Sequence, residues 1–127
     1  MIVDWKKLKK YTSEEINAAA REEPVAALEY ASNLLTASTL NWCARRAPYS
    51  ALVNAAALLT LETLDWCARS HPWAALEHCA KLLTPDTLDW CARERPYLAL
   101  EDVSDVLLPD TLDYCAREEP VHGLQYA

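Results

Sequence analysis

The chain has 127 residues, of which 52% are apolar and one is glycine, and its 12 basic and 19 acidic residues give a formal net charge of −7. This length and apolar share fit one compact domain or a short repeat array, and they exclude a disordered chain. The single glycine, Gly123, excludes glycine-rich phosphate loops and dinucleotide fingerprints, which need several glycines for close backbone approach.

The first segment, residues 1–11, predicts an amphipathic N-terminal capping helix. Ile2, Trp5 and Leu8 recur at helical spacing, whereas four lysines occupy the other positions. The segment lacks the apolar core of a signal peptide, and no apolar run in the chain reaches the roughly 18–20 residues of a membrane span. We therefore expect a cytoplasmic protein without membrane contact.

A strict 24-residue repeat occupies the rest of the chain. Prolines, arginines, leucines and cysteines recur at this interval without insertion or deletion, for example Pro24, Pro48, Pro72, Pro96 and Pro120, and Cys43, Cys67, Cys91 and Cys115. The repeats span residues 12–35, 36–59, 60–83, 84–107 and 108–127, and the first is a looser copy with Ala19 at the cysteine position. A strict period of this length indicates a solenoid, in which each repeat buries its apolar face against its neighbours.

Each repeat predicts two short helices. In the fourth repeat Thr84 is an N-cap followed by a proline, and the first helix runs to about Glu94. Pro96 then turns the chain and begins a second helix of roughly eleven residues. Thr12 and Glu15 form the equivalent capping box in the first repeat. The predicted fold is all-α, an α-solenoid of five 24-residue helix-turn-helix repeats with an N-terminal capping helix, in a single domain over residues 1–127.

The repeat unit resembles known helical tandem repeats. Its length is similar to that of leucine-rich-repeat variant proteins, and the LTPDTLDWCAR type of unit is similar to repeats in uncharacterised bacterial and phage-encoded proteins. The resemblance implies a helical repeat fold and no particular activity. The chain lacks the Trp, Gly and Tyr spacing of tetratricopeptide repeats, so the peptide-carboxylate clamp of that family is not transferred to it.

Aromatic residues recur at two repeat positions. The first aromatic ladder lies on the first helices and contains Trp42, Trp66, Trp90 and Tyr114, and the second follows the repeated proline and contains Tyr49, Trp73 and Tyr97. In one interpretation the rings seal the short helical hairpins, whose small cores need such cover. In the other they form an exposed stripe of the kind that supplies interface hot spots.

Arginines recur on the first helices, four residues after an Asn or Asp. The pairs begin at Asn17, Asn41, Asp65, Asp89 and Asp113. This spacing predicts pairing along each helix, with an anion-binding track as the alternative.

The cysteines and histidines do not predict chemistry. On a helical wheel of the first helix, the repeated Leu, Cys and Ala, such as Leu88, Cys91 and Ala92, form the inward stripe. The four period-matched cysteines therefore face inward, on helices roughly 8–10 Å apart, too far for disulfides, whose Cα atoms lie within about 7 Å. They are interpreted as buried apolar fillers in a reducing compartment, whereas Cys79 is unassigned. His71, His78 and His122 have no oriented catalytic partner. We expect no catalytic residue, no metal and no cofactor, and therefore no enzyme.

The acidic residues suggest where a partner binds. Residues 86–127 contain ten acidic and three basic side chains, whereas residues 1–85 contain nine of each. This balance argues against direct nucleic-acid contact, which needs a cationic surface. The acidic excess of residues 86–127 is explained either by a solvated face or by a contact with a basic partner.

These patterns predict a non-catalytic protein-interaction module. Its expected contacts are the two aromatic ladders and the acidic residues Asp102, Asp105, Glu118 and Glu119. The alternative is an acidic phage-type inhibitor, similar in role to anti-defence or anti-CRISPR proteins, which blocks a nucleic-acid-binding protein by mimicry or occlusion. We also expect a C-terminal face with Val121, Leu124 and Tyr126 to be completed either by self-association with a second copy of the chain or by a partner.

Overall fold

A computed structural model describes residues 2–118 of the chain. Within this range it is all-α, with nine α-helices, short 3-10 turns and no strand, which confirms the predicted helical repeat fold. The helices are α1 (Ser13–Glu22), α2 (Pro24–Ala31), α3 (Ala37–Arg46), α4 (Pro48–Asn54), α5 (Leu61–Ser70), α6 (Pro72–Cys79), α7 (Pro85–Glu94), α8 (Pro96–Val103) and α9 (Pro109–Glu118).

Local chemistry sets the helix boundaries in each repeat. Thr36 caps α3 by accepting the backbone N–H of Thr39 at 3.3 Å, and Ala47 leaves the helix with φ −137° and ψ 67°. Pro48 then occupies the first position of α4, where its missing N–H costs nothing. The predicted second helix of roughly eleven residues is an α-helix of seven or eight residues, followed by a 3-10 turn such as Ala56–Leu58.

The chain forms two compact units, Met1–Cys67 and Ala68–Ala127. In the first unit α1 packs on α3 and α2 packs on α4, so that first helices form one layer and second helices the other. The second unit repeats this arrangement, with α7 on α9 and α6 on α8. The first helices α1, α3 and α7 also pack on the second helices of their own repeats, α2, α4 and α8, as a helical hairpin requires.

The interior follows the predicted stripe of the first helices. Leu40, Cys43 and Ala44 of α3 are buried, as predicted for this repeat position. In α7, however, Leu88 is half-buried, whereas Thr87 beside it is buried. The stripe is therefore one residue wider than the sequence predicts. At the equivalent position of α3 the buried Thr39 is tolerated because its hydroxyl accepts a hydrogen bond from the hydroxyl of the N-cap Thr36 at 3.0 Å.

The N-terminal segment differs from the predicted amphipathic helix. Residues 2–7 are not helical, and only Leu8–Lys10 forms a 3-10 turn. Ile2 is 87% exposed and Val3 is buried, because side chains of a non-helical segment do not follow helical periodicity. The turn lies 24 residues before the turn Ser32–Leu34, so the repeat frame already begins at residue 8.

The sequence also predicts the absence of a membrane span and the presence of an apolar C-terminal face. No helix within residues 2–118 has both the length and the apolar character that crossing a membrane requires. The predicted C-terminal face with Val121, Leu124 and Tyr126 lies outside the described residues, as does Glu119.

Candidate interaction surface

The first aromatic ladder is packed under arginines. The guanidinium of one repeat lies over the ring of the next, at 5.0 Å for Arg21 and Trp42, 5.4 Å for Arg45 and Trp66, 5.3 Å for Arg69 and Trp90, and 4.7 Å for Arg93 and Tyr114, measured to the ring centroid. Each such cation–π contact stabilises an exposed site by about 0.5–1 kcal/mol. Trp42, Trp90 and Tyr114 are half-buried, whereas Trp66 is 42% exposed. This geometry favours the packing interpretation for most of the first ladder.

The predicted pairing of each arginine along its own helix is confirmed for one repeat. Arg93 Nε donates to the Asp89 carboxylate at 3.0 Å. In the first unit the amide oxygen of Asn17 instead accepts the backbone N–H of Thr36 at 2.9 Å, and Asn41 binds Thr60 in the same way at 3.1 Å. These two Asn side chains therefore cap the helix of the following repeat.

Asp89 combines both roles in the second unit. Its carboxylate accepts hydrogen bonds from the Thr111 hydroxyl of the next repeat and from Arg93. These hydrogen bonds, that of Thr111 first, together with the positive charge of Arg93, outweigh partial burial and lower the pKa of Asp89. The negative charge of Asp89 therefore contributes to the contact between repeats. A carboxylate with a lowered pKa is not poised to act as a general acid or base.

The period-matched cysteines are buried and reduced, as predicted, and they also act as hydrogen-bond donors. Cys43 Sγ lies 3.5 Å from the carbonyl oxygen of Ala20 in the preceding repeat. The helical donor for that carbonyl would be residue 24, but Pro24 has no N–H. The thiol supplies a donor in its place. The same contact recurs at 3.5–3.6 Å for Cys67, Cys91 and Cys115.

Cys79 is buried at the end of α6, off the repeat period. Burial raises its pKa to about 11, so the thiol is neutral near pH 7 and is not an activated nucleophile. No group of three or more His, Cys, Asp or Glu side chains among residues 2–118 is arranged to hold a metal ion.

The second aromatic ladder is more exposed than the first. Tyr49 is 43% exposed and Tyr97 is 44% exposed, each at the second position of its helix, and Trp73 is half-buried. Val25 occupies the same repeat position and is also exposed. The exposure of two of its three rings favours the interaction interpretation for this ladder.

The acidic candidates of the second unit lie at its surface. Asp102, Asp105 and Glu118 are all exposed. Partial desolvation, followed by the negative charges of Glu101 and Glu77, raises the pKa of Asp102. The carboxylates of Glu77, Glu101 and Asp102 are therefore close enough to repel one another, as they are where a protein presents a concentrated negative surface.

Sequence reasoning missed exposed leucines on the 3-10 turns. Leu34, Leu58 and Leu82 recur at one repeat position and are 43–50% exposed. Their period was visible, but a helical-wheel argument cannot place side chains that follow the end of a helix.

Comparison with known proteins adds no further residue to these candidates. No protein-family model, curated protein or solved structure gives a significant match to this chain.

Proposed function

We propose that the chain is a non-catalytic protein-interaction module. The observation that supports this proposal most directly is the repeated exposure of an aromatic ring at the start of second helices, 43% for Tyr49 and 44% for Tyr97. Large aromatic side chains are enriched at binding hot spots, because they bury much apolar area with few rotatable bonds. Trp66 and the carboxylates of Asp102 and Asp105 extend the candidate contacts within their own units.

The helical repeats suit this role because they hold the rings without rearrangement. Tyr49 and Tyr97 each follow a proline at the first helical position, which fixes the backbone before the exposed residue. A rigid ring loses little conformational entropy when a partner covers it. We further propose a reducing, cytoplasmic setting, since all five cysteines are buried thiols.

The test is affinity capture from the native cell with the full chain and a Tyr49→Ser, Tyr97→Ser variant. We expect the captured partner to be lost while far-UV circular dichroism and the thermal midpoint stay near those of the parent chain. Leu58→Ser with Leu82→Ser is the matched control, because these leucines are equally exposed at a different repeat position. Capture that survives the tyrosine variant, or is lost equally in both variants, would contradict the proposed contact.

The acidic surface supports a second candidate, an inhibitor that blocks a nucleic-acid-binding protein, similar to phage-encoded antagonists. The supporting observation is the crowding of Glu77, Glu101 and Asp102, which raises the pKa of Asp102 in addition to its desolvation. Neutralising Asp102, Asp105 and Glu118, with Glu119 beyond the described residues, distinguishes the two proposals. An inhibitor of this kind loses its partner in a salt-sensitive way, whereas an interface carried by aromatic rings changes little.

A further inference from the structure

An apolar cleft lies beside the N-terminal 3-10 turn in the first unit. Its volume is about 420 Å³, and it is lined by Leu8, Lys9, Tyr11, Ser13, Ile16 and Leu34. Ile16 is buried in the helix α1, whereas Leu34 is 50% exposed on the turn that follows α2. An open apolar cleft of this kind accommodates a large aliphatic or aromatic side chain of a ligand.

Positive charge is concentrated beside this cleft. Lys6, Lys7, Lys9 and Lys10 are all exposed within five residues, and Lys10 Nζ lies 5.3 Å from the ring centroid of Tyr11. Two neighbouring carboxylates accept backbone N–H groups, Asp4 from Lys6 at 3.1 Å and Glu15 from Thr12 at 2.8 Å. Glu14 is exposed in the first turn of α1. A further carboxylate, that of Glu23, accepts a hydrogen bond from Trp5 Nε1 at 3.1 Å. Lys9 is the charged residue among those that line the cleft, and residues 4–11 contain four lysines and one carboxylate, so the field of this segment attracts an anionic ligand.

The second unit contains a cleft at the equivalent repeat positions, three periods later. It has a volume of about 270 Å³, and Lys81, Leu83, Leu88 and Val106 replace Lys9, Tyr11, Ile16 and Leu34. Lys81 and Asp89 both line it, and Asp89 is also paired with Arg93, so this cleft has no excess of positive charge. The chain thus carries two apolar clefts of similar construction, of which the first lies in a segment with four lysines and the second does not, so the second is an internal control for the first.

We propose that the cleft of the first unit is a docking site for an acidic segment of a partner protein. One large apolar side chain of that segment fills the space between Tyr11, Ile16 and Leu34, and the flanking carboxylates face Lys9 and Lys10. Charge complementarity selects this partner, because a basic segment would be repelled by the same lysines. This docking site is separate from the proposed function. The acidic contacts of the proposed function lie in the second unit and fit a basic partner, whereas the cleft fits an acidic one.

The test is a titration of the full ¹⁵N-labelled chain, followed by amide chemical shifts. The probe is an acetylated and amidated peptide with one tryptophan between three glutamates on each side. We expect saturable shifts centred on Lys9, Tyr11 and Leu34, and a several-fold weaker affinity when the salt concentration rises from 50 to 200 mM. The equivalent amides around Lys81 and Val106 should not respond.

Matched variants separate charge from apolar contact. Lys9→Glu with Lys10→Glu should weaken binding about tenfold or more, whereas Lys81→Glu should leave it unchanged. Leu34→Ser should weaken it as well, whereas Val106→Ser, the equivalent position in the second cleft, should not. Far-UV circular dichroism of each variant shows that the helical fold is retained.

Several results would overturn the proposal. These are shifts absent at millimolar peptide, an equal response to a lysine-flanked peptide, insensitivity to charge reversal at Lys9 and Lys10, or shifts that map to the second cleft. Concentration-dependent shifts of the same amides without peptide would assign the cleft to a second copy of this chain and would also overturn it. The proposed function is tested separately, because partner capture that depends on Tyr49 and Tyr97 does not require this cleft.

Discussion

The thiol of Cys43 should contribute to stability through packing and through its hydrogen bond. Cys43 Sγ is buried and lies 3.5 Å from the carbonyl oxygen of Ala20, whose helical donor is missing at Pro24. We expect Cys43→Ala to lower the free energy of unfolding by about 2 kcal/mol. About 1 kcal/mol comes from the lost buried volume. About 1 kcal/mol more comes from leaving a buried carbonyl without its donor.

Urea unfolding followed by far-UV circular dichroism measures this loss, and two further variants divide it. Cys43→Val replaces the apolar volume without a donor, so it should recover about half of the loss. Cys79→Ala removes a buried thiol outside the repeat period and should cost about 1 kcal/mol, the packing part alone. If Cys43→Val is as stable as the parent chain, or if Cys43→Ala costs no more than Cys79→Ala, the hydrogen-bonding role of the thiol is refuted.

Three other measurements test the electrostatic and polar contacts. Since burial raises the pKa of Cys79 from 9.0 to about 11, the unfolded chain ionises first as the pH rises. Stability should therefore fall by up to about 2.7 kcal/mol between pH 9 and 11, and Cys79→Ala should lose this part of the pH dependence in urea unfolding. A double-mutant cycle of Arg45→Ala and Trp66→Ala, read by urea unfolding, should give a coupling energy of about 0.5–1 kcal/mol, and additivity would contradict the cation–π contact. Asn41→Ala should lower the thermal midpoint through a loss of about 1 kcal/mol, because Thr60 loses the acceptor of its backbone N–H, whereas Asn41→Asp keeps an oxygen there and should retain most of the stability.

The helix boundaries could be predicted from the sequence because their causes are local. A threonine that caps the third residue of its helix, such as Thr84 with Thr87 at 3.4 Å, acts within one turn of chain. A proline such as Pro96 ends one helix and begins the next through its own ring and its missing N–H. The burial of Cys43 follows equally from its place on the apolar face of α3.

The contacts between repeats could not be predicted, because they depend on the offset between neighbouring helices. On a helical wheel Arg45 is adjacent to Asn41, so the sequence predicts pairing along α3. In the structure Arg45 lies over Trp66 and Asn41 binds Thr60, both in the following repeat. Similarly, aromatic rings that seal the hairpins and aromatic rings that form an exposed stripe would recur at the same 24-residue interval. The exposure of Tyr49 becomes apparent only once its helix is packed.

The direction of these contacts explains why the first repeat is a looser copy. In later repeats the cysteine and the first-ladder aromatic residue contact the preceding repeat, as Cys43 and Trp42 do. The first repeat has Ala19 and Ala18 at these positions, and no first helix lies before it within the described residues. It nevertheless keeps the groups that contact the following repeat, since Arg21 lies over Trp42.

The capping box of the first repeat follows from the same asymmetry. The backbone N–H of Thr36 is bound by Asn17 of the preceding repeat at 2.9 Å. Thr12 has no such neighbour among the described residues, and its N–H is bound by Glu15 of its own helix at 2.8 Å. Glu15 occupies the repeat position of Thr39 in the second repeat. The Glu15 side chain accepts the backbone N–H of its N-cap residue, whereas the Thr39 hydroxyl contacts the hydroxyl of its N-cap residue. The departures from the repeat at these positions therefore match the packing of α1, because each one removes or replaces a side chain that in later repeats contacts the preceding repeat.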